Sequence, residues 1–473
     1  MRCLAIANAL AERGLRCRFL LPGGGEVFVP LVLARGHEVE VLSGPLHRHA
    51  SALSSRLPDP VDLAIIDDYE STPAFEAELH ARSRRLVVVD DFAHRRHRCD
   101  VLLAPGATAE EGESSPAGEG PRYLLCGPRH APLRQEFAAL RPRALRRRMA
   151  GGEVRRVLVT IGLTDPAGLS APVTEALLGL PFDLEVDIAV GAAAPGLSAL
   201  RRLAEEPRVR LHVDTDEMAT LMCEADLAIG AGGSSSFERC CLGLPTLAYL
   251  IAENQHGILR DLERRGALLR MGEAARFDAR ELAAAVRALI RDGERRKRMA
   301  AAAAAVCDGR GVERLLTLLM TKGTAAELQL RPVREEDCDR LYDWRNDPHA
   351  RRMAIRREAI DYFDHRRWFA EASADPDRIL RIAEVDGLPV GSVRADRRRE
   401  GWVLSWTVAP EARSRGFGKR MVHGFAVGLS GPVVAYIREE NAASKRIAAA
   451  AGLRLTGIRE GIETWIRDGS PGV

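Results

Sequence analysis

The chain has 473 residues, of which 46% are hydrophobic and 29% charged, and its formal net charge is +3. This composition is typical of a globular protein with several hydrophobic cores, and about 150 residues per domain predicts roughly three domains. It excludes wholly disordered, collagen-like and disulfide-scaffold chains, and a charge near zero argues against a dedicated nucleic-acid binder.

The apolar runs and the cysteines narrow the class further. The longest apolar run, 299–307, is far shorter than the roughly 18 residues that a membrane-spanning helix needs. The nine cysteines include no Cys-x-x-Cys pair, and no histidine lies at zinc spacing. We therefore expect a cytoplasmic protein with reduced thiols that binds no metal, no membrane and no nucleic acid.

The first third of the chain alternates helices with short apolar strands. An amphipathic helix is predicted to end at Gly14, and apolar runs that end in polar residues predict strands over 17–21, 38–42, 63–66, 86–89 and 101–103. Such runs are typical of buried parallel strands. The stretch 105–121 is predicted as a loop, and the Arg-rich run 141–148 before Gly151 and Gly152 as a boundary.

The same pattern then restarts. Strands are predicted over 157–161, 184–190, 209–213, 227–229 and 247–251, before a largely helical stretch over 280–320. Two successive series of this kind imply two doubly wound sheets, whose ligands bind at the carboxyl ends of the strands. The sequence thus predicts an α/β fold with Rossmann-like domains over 1–148 and 153–320.

A different pattern follows a short linker at 321–326. Strands are predicted over 328–333, 379–384, 390–395 and 402–408, and a helix opens at Asp337. Asp386-Gly387 is a strong signal for a two-residue hairpin turn. The sequence predicts a third domain, 328–467, of the α+β class with antiparallel strands.

The most informative motif in the first two domains is Gly230-Ala-Gly-Gly-Ser-Ser-Ser-Phe-Glu238. A strand ends in small residues and a helix begins at the serines, so free backbone N–H groups and the helix dipole suit a diphosphate. Glu238 could accept from a ribose or sugar hydroxyl, and Glu253-Asn254-Gln255 adds polar groups at the next strand end. An ordinary glycine turn with a serine N-cap is the alternative.

The stretch 225–245 around this motif resembles the UDP-sugar hydrolase family of pseudaminic acid biosynthesis. The resemblance covers about the first 320 residues and includes 1–4, 86–91, 127–134, 162–166 and 308–311. It implies a glycosyltransferase-B-type fold that removes UDP from UDP-2,4-diacetamido-2,4,6-trideoxy-β-L-altropyranose. It also implies that Tyr69 lines the sugar side as a catalytic residue and that UDP is held by Gly232, Gly233, Ser234, Ser235, Glu238, Asn254 and Gln255.

One element of that family has no counterpart here. In the family a first strand and a Gly-x-Gly-His loop, whose histidine is the base or positions the water, precede the residues that match Arg2-Cys3-Leu4. Two interpretations stay open: the start codon lies upstream, or the domain is hydrolase-like without its base. His94 and His97 lie in an Arg-rich loop and are expected to be solvated.

A second motif is Trp406-Thr-Val-Ala-Pro410 followed by Arg413-Ser-Arg-Gly-Phe-Gly418-Lys419. The amides of such a loop, at the start of a helix, can cradle a pyrophosphate; a basic surface loop is the alternative. With 435–444 and 451–453, the motif resembles the GCN5-related N-acetyltransferase family over about 328–465. The resemblance implies acetyl-CoA as co-substrate, bound by Val408, Arg413, Ser414, Arg415, Gly416, Phe417, Gly418, Lys419, Asn441 and Ser444.

The acceptor side is less determined. Ala448 stands where the family often has a tyrosine acid, so Tyr436 and water are the alternatives. The runs 344–348 and 365–369 resemble the branch that acetylates 4-amino nucleotide sugars. This implies that His365, or Arg345 and Asn346, faces the sugar nucleotide, with Trp368 and Phe369 in the core.

The sequence therefore predicts a bifunctional enzyme of nonulosonic acid biosynthesis. One domain would acetylate the 4-amino group of a UDP-sugar, and the other would release UDP from the product. A UDP-sugar-dependent glycosyltransferase and a non-catalytic nucleotide-sugar-binding module fused to an active acetyltransferase are the alternatives. The oligomeric state is not predicted.

Overall fold

The computed structural model describes residues 1–45, 60–91, 95–107, 121–321 and 327–468. The chain divides into two compact units, 1–312 and 313–473. None of the helices in the described ranges combines the length and the apolar character that crossing a bilayer requires.

The first unit is built from parallel sheets and helices. Its helices are α1 (Arg2–Ala11), α2 (Val29–Ala34), α3 (Pro73–Ala81), α4 (Gln135–Ala150), α5 (Ser170–Leu178), α6 (Leu197–Leu203), α7 (Met218–Glu224), α8 (Ser235–Cys241), α9 (His256–Arg264), α10 (Ala279–Arg291) and α11 (Gly293–Val306). Its strands are β1 (Arg18–Leu21), β2 (Glu38–Val41), β3 (Ala64–Ile66), β4 (Leu86–Val89), β5 (Val101–Ala104), β6 (Tyr123–Cys126), β7 (Arg156–Thr160), β8 (Glu185–Val190), β9 (Val209–Val213), β10 (Leu227–Ala231), β11 (Thr246–Leu250) and β12 (Leu269–Glu273). A further helix, α12 (Gly311–Met320), leads into the second unit.

The strands of the first unit pair in three sheets. The order β12-β11-β10-β7-β8-β9 forms a six-stranded sheet, β3-β4-β5-β6 a four-stranded one, and β1-β2 a separate pair. All of these ladders are parallel, which confirms the predicted α/β class. Among the described residues no strand pairs with both β1 and β3, so the N-terminal strands do not form one continuous sheet.

The Arg-rich run before Gly151 is helical, and parts of it are buried. It belongs to α4, where Arg141 Nη1 donates to the carbonyls of Cys241 (2.6 Å) and Cys307 (2.9 Å). Arg148 Nη2 donates to the carbonyl of Met222 (2.9 Å). These guanidinium groups fix α4 against the helices beside the six-stranded sheet.

The second unit contains a seven-stranded mixed sheet. Its strands are β13 (Leu328–Pro332), β14 (Arg378–Val385), β15 (Leu388–Arg398), β16 (Gly401–Val408), β17 (Val433–Arg438), β18 (Arg454–Arg459) and β19 (Ile462–Arg467), in the order β13-β14-β15-β16-β17-β19-β18. Its helices after α12 are α13 (Asp337–Asn346), α14 (Pro348–Met353), α15 (Tyr362–Ala374), α16 (Phe417–Val427) and α17 (Ala442–Ala450). Only β16 and β17 run parallel, and the other neighbours are antiparallel.

The predicted hairpin turn is confirmed. Val385 pairs with Leu388, so Asp386 and Gly387 alone make the connection between β14 and β15. Both have positive φ, 54° and 70°. A type I′ turn requires this at both central positions, which is why the Asp-Gly pair predicted it.

Candidate functional site

The two parallel strands of the second unit separate at their carboxyl ends. Their ladder spans three pairs and ends at Leu404 opposite Ala435. A cavity of about 780 Å³ lies at this point. It is lined from β16 by Ser405, Trp406 and Thr407, and from β17 by Tyr436, Ile437 and Arg438. A volume of this size suits a ligand of several hundred daltons.

The loop that enters α16 presents unpaired backbone amides. Gly416 is the N-cap of α16 with φ +81°, and Ser414 has φ +62°. The N–H groups of Ser414, Gly416, Phe417 and Gly418 have no acceptor within the described part of the chain. A Cβ at Gly418 would lie 2.6 Å from the Ile447 side chain, so glycine is what lets α16 begin this close to α17. The loop therefore has the donors and the space that an anion needs.

The three cations of this loop differ in what they contact. Arg413 donates to Asp347 Oδ2 (2.6 Å). Arg415 donates to the carboxyl end of α12, including Thr321 Oγ1 (2.7 Å). Lys419 is exposed in the first turn of α16 and has no described partner. Of the three, only the Lys419 side chain is at hand for a ligand without exchanging a contact.

Asn441 and Ser444, both predicted to bind acetyl-CoA, line the cavity at the start of α17. Asn441 is the N-cap of that helix: its Oδ1 accepts from the Ser444 N–H (3.0 Å). Its Nδ2 donates to the Met353 carbonyl (3.4 Å). If Asn441 Nδ2 donates to a ligand, it must therefore give up its hydrogen bond to the Met353 carbonyl. Val408 packs against Gly418, 3.0 Å from where a Cβ would stand.

His365 lines the same cavity in a neutral form with a fixed tautomer. It is 2% exposed, and its Nε2 lies 2.9 Å from the Cys338 carbonyl oxygen. Because a carbonyl only accepts, Nε2 carries the proton and Nδ1 is left with its lone pair. No described group bonds Nδ1. Burial lowers the pKa of His365, so the ring is a free base at neutral pH.

The other two acceptor-side residues, Tyr436 and Asn346, have hydrogen-bond partners within the protein. The Tyr436 hydroxyl donates to Glu400 Oε1 (3.3 Å), and burial together with this carboxylate raises the pKa of Tyr436. Asn346 Nδ2 donates to the Ile360 carbonyl and Oδ1 accepts from the Ile360 N–H, both at 2.9 Å. Asn346 therefore secures the segment before α15.

The expectation that Trp368 lies in the core is wrong in part. Phe369 is buried, but Trp368 is only half-buried and lines the cavity. On α15, Trp368 lies three residues after His365, and the two rings are 5.2 Å apart. A period of 3.6 residues places both on the face of the helix that meets the cavity.

Arginines dominate the charged groups around this cavity, a feature that the sequence analysis missed apart from Arg345. The arginines that line it are Arg345, Arg356, Arg378, Arg394, Arg398 and Arg438. The carboxylates that line it are Asp364 and Asp396. The alternation Arg394-x-Asp396-x-Arg398 in β15 was the available signal, since residues two apart share one face of a strand.

In the first unit, the glycine and serine motif opens a helix as predicted. α8 begins at Ser235, and the N-cap hydroxyl of Ser234 makes no capping bond. The amides of Gly233, Ser234 and Ser235 have no acceptor among the described residues. Gly232 differs, because its N–H donates to the Tyr249 carbonyl (3.1 Å) and its missing Cβ makes room for a core leucine.

The residues predicted at the next strand end lie beside this loop. Gln255 Oε1 accepts from the Ile251 N–H (3.1 Å) at the end of β11. Its Nε2 is 3.4 Å from where a Cβ on Gly233 would stand. Asn254 is exposed and has no described partner. The two segments therefore meet at the carboxyl ends of β10 and β11.

A small cavity of about 50 Å³ joins this helix start to the strands of the four-stranded sheet. Its lining includes Arg2, Asp91, Arg134, Ser234 and Glu238. Burial raises the pKa of Glu238 to about 6, although Arg134 acts in the opposite direction. The Arg134 side chain is buried, and its Nε has no hydrogen-bond partner in the part of the chain that the structure describes. Arg134 is the last residue of the run 127–134, which resembles the hydrolase family. The sequence predicts no role for this residue.

Tyr69 lies at the carboxyl ends of β3 and β4 in a polar cluster. Its hydroxyl donates to Asp91 Oδ2 (2.5 Å), and it is 50% exposed. Arg2 bridges Asp67 (2.6 Å) and Asp91 (2.8 Å). Burial and the bond to Asp91 raise the pKa of Tyr69 to about 12. Tyr69 is therefore a protonated phenol, able to donate or to orient a ligand.

The expectation of a solvated His97 is wrong, and His94 lies outside the described residues. His97 is 3% exposed: its Nδ1 faces Glu76 Oε1 (2.8 Å) and its Nε2 faces Asp90 Oδ2 (3.0 Å). Burial acts to lower the pKa of His97, but the bonds to Asp90 and Glu76 outweigh it and raise the pKa to about 9. His97 is therefore a structural residue, held between the carboxylates of Glu76 and Asp90. The Arg-rich sequence around it gives no sign of these two partners.

The raised pKa of His97 predicts that alkaline pH destabilises the first unit. The folded-state pKa of about 9 exceeds the ordinary value of 6.5, so the stabilisation is complete below pH 6.5 and is lost as the pH rises through 9. The shift corresponds to about 3 kcal/mol. Hydrogen exchange of the β4 amides, corrected for intrinsic rates, should show this fall in the wild type and a flatter profile in His97→Gln. His256→Gln, on α9 and outside the four-stranded sheet, is the control, and equal profiles for wild type and His97→Gln contradict the assignment.

Residues 327–454 match the model of the acetyltransferase (GNAT) domain family. The second unit contains a GNAT acetyltransferase domain. Acetyl-CoA is its co-substrate. Within the described ranges, no group of three or more His, Cys, Asp or Glu side chains is arranged to hold a metal ion.

Two curated relatives match parts of the chain. A segment of 157 residues is 32% identical to the spore coat polysaccharide biosynthesis protein SpsG of Bacillus subtilis, and covers 33% of this chain and 43% of SpsG. The chain thus spans less than half the length of that relative. An uncharacterized protein of Methanocaldococcus jannaschii is 21% identical over 353 residues, which cover 71% of this chain and 68% of that protein.

Similar solved structures include two acetyltransferases. The spermidine N-acetyltransferase from Vibrio cholerae, in complex with CoA and spermine, is 12% identical with a TM-score of 0.28, over 30% of this chain and 95% of that one. The aminoglycoside acetyltransferase AAC(6')-Ib, in complex with coenzyme A, is 17% identical with a TM-score of 0.27, over the same shares.

Proposed function

We propose that the chain is a bifunctional nucleotide-sugar enzyme. The second unit transfers the acetyl group of acetyl-CoA to the 4-amino group of a UDP-linked amino sugar. The first unit then hydrolyses the diacetamido product and releases UDP, as in pseudaminic or another nonulosonic acid pathway. The two reactions are consecutive, and a tethered second site meets a raised local concentration of the first product.

The observation that carries the acetyltransferase half is the excess of arginines around its cavity. Six guanidinium groups against two carboxylates create a positive field, which attracts an anionic acceptor and repels a polycation. Arg345 Nη1 is buried and has no hydrogen-bond partner among the described residues. An unpaired buried donor is costly, and a diphosphate oxygen is a suitable acceptor for it. A nucleotide sugar meets this field better than a polyamine or an aminoglycoside does.

The chemistry needs a group that takes the proton of the attacking amine. The neutral amine attacks the thioester carbonyl, the C–N bond forms, and His365 Nδ1 accepts the amine proton. The C–S bond then breaks, and the CoA thiolate is protonated by Tyr436 or by water. The base assignment is supported by the free Nδ1 of a histidine whose other nitrogen is fixed on Cys338.

The acceptor class predicts a clear preference. CoA thiol release should be at least about tenfold faster, in kcat/KM, with a UDP-4-amino-4,6-dideoxy sugar than with spermidine or kanamycin. Arg345→Ala should raise the KM for the nucleotide sugar about tenfold, while the KM for acetyl-CoA stays unchanged. Arg459→Ala, which removes an exposed arginine of β18, is the control. Equal or faster turnover of the polyamine contradicts the anionic acceptor.

The first unit predicts a separate UDP site. Support comes from the open amides at Ser234, the buried Arg134 and the carboxylate of Glu238 around one cavity. UDP should bind in the micromolar range, roughly −8 kcal/mol, and a Ser234/Ser235/Glu238 triple alanine variant should lose this binding. The exposed Ser198→Ala is the control. Equal UDP affinity in the triple variant and the wild type contradicts the site.

A nucleotide-sugar-binding module remains the second candidate for the first unit. It is favoured by the cluster of Arg2, Asp67, Asp91 and Tyr69, in which each carboxylate is already paired with Arg2. UDP binding without UDP release from a UDP-diacetamido sugar would identify this module. Release of UDP into water, with no glycosyl acceptor added, would identify the hydrolase.

A further inference from the structure

Residues 413–418 form the loop that enters α16, called here the acetyl-CoA loop. Arg415, in the middle of this loop, is bound to the carboxyl end of α12. Its Nη1 donates to the carbonyls of Thr317 (3.3 Å) and Thr321 (3.2 Å) and to Thr321 Oγ1 (2.7 Å). Its Nη2 donates to the Leu318 carbonyl (2.9 Å). All of these groups belong to the second unit.

The arrangement fits the chemistry of both partners. The last carbonyl groups of a helix receive no hydrogen bond from a backbone N–H of that helix, and they form the negative end of its dipole. A guanidinium presents five donors in a planar fork and can meet several such carbonyls at once. One side chain therefore closes α12 and fixes the position of the loop.

The loop needs such an anchor because its backbone is strained at Ser414. Ser414 and Gly416, on either side of Arg415, have φ of +62° and +81°. A non-glycine residue in this region costs about 1 kcal/mol or more, and persists where the surroundings hold it. On the other side, Arg413 is fixed to Asp347, whose Oδ2 also accepts from the Ala350 N–H (2.8 Å).

The amino-terminal half of α12 is itself held in the second unit. Arg340 Nη2 donates to both carboxylate oxygens of Glu313 (3.0 and 2.8 Å). Arg314 Nη2 donates to Asp343 Oδ2 (3.0 Å). Both contacts fix the helix to α13, so it is a stable support for Arg415.

We propose that Arg415 is a positioning residue that holds the acetyl-CoA loop on the last turn of α12 and does not bind the pyrophosphate. Residues 313–321 are then part of the acetyl-CoA site. The pyrophosphate meets the backbone amides at Ser414 and at 416–418, with Lys419 as the neighbouring cation. The inference concerns the co-substrate alone, so it does not depend on the identity of the acceptor.

The test uses the full-length chain and measures the Kd for CoA by calorimetry. Arg415→Ala should raise the Kd about tenfold. Thr321→Val, which removes the hydroxyl that accepts from Arg415 and donates to the Thr317 carbonyl (2.6 Å), should raise it about threefold. The double variant should be no weaker than Arg415→Ala alone, because both changes break the same contact. Arg415→Lys should recover part of the affinity, and Arg459→Ala should match the wild type.

A second readout separates positioning from direct phosphate contact. Because Arg415 does not touch the phosphates in this proposal, Arg415→Ala should leave the salt dependence of the Kd unchanged. With an accepted amine, the KM for acetyl-CoA should rise while kcat at saturation stays within about twofold. Circular dichroism monitors folding, and Thr321→Val keeps the test valid if Arg415→Ala is unstable. An unchanged Kd in Thr321→Val, additive effects in the double variant, or a weaker salt dependence in Arg415→Ala each overturn the proposal.

Discussion

Gly416→Val is expected to weaken acetyl-CoA binding by about 100-fold or more, the equivalent of roughly 3 kcal/mol. Gly416 has φ +81° at the N-cap of α16, a conformation that a β-branched residue avoids. Valine would turn the loop away from that geometry and place its methyl groups among the amides that meet the pyrophosphate. The loss should appear in the Kd for CoA, measured by calorimetry.

A glycine on the same helix provides the matched control. Gly424 has no atom within 4 Å of where its Cβ would stand, and it lies in the interior of α16. Gly424→Ala should bind CoA like the wild type and be slightly more stable, because alanine is the better helix former. Unfolding of Gly416→Val can be followed by tryptophan fluorescence, since all five tryptophans lie between residues 344 and 465. Normal CoA binding by folded Gly416→Val would refute the loop as the acetyl-CoA site.

His365→Gln is expected to lower kcat/KM for acetyl transfer by about 10²–10⁴-fold, the usual contribution of a general base. Glutamine can still donate to the Cys338 carbonyl, but it has no nitrogen that accepts a proton. The Kd for CoA should stay unchanged. The exposed His423→Gln, on α16, is the control.

The pH profile distinguishes a base from a packing residue. Burial lowers the pKa of His365 below its ordinary value of 6.5, so the wild-type rate should rise with pH through a limb below 6.5. That limb should vanish in His365→Gln, while any rise at higher pH, from deprotonation of the amine itself, should remain. A variant that keeps both the limb and the rate would exclude His365 as the base.

Local patterns in the sequence were enough for most of the strands and for the turns. Apolar runs identified the parallel strands of the first unit except β6 and β12, because a strand covered on both faces has few polar positions to interrupt it. β18 escaped notice because all six of its residues are exposed, so it has no apolar periodicity. Gly416 is restricted by its positive φ, and Gly418 by its close approach to the Ile447 side chain.

The sequence by itself determined the order of the α/β and α+β regions and the glycine-containing loop that enters α16, because these depend on patterns within a few residues. Only the tertiary structure decided which partners the charged side chains have. His97 lies between Asp90 and Glu76, Arg415 holds the end of α12, and the cavity gathers arginines from several strands and helices. From the sequence alone a charged side chain is predicted to be solvated, because contacts between residues far apart in the chain leave no local pattern. Only the fold shows which charged side chains are paired.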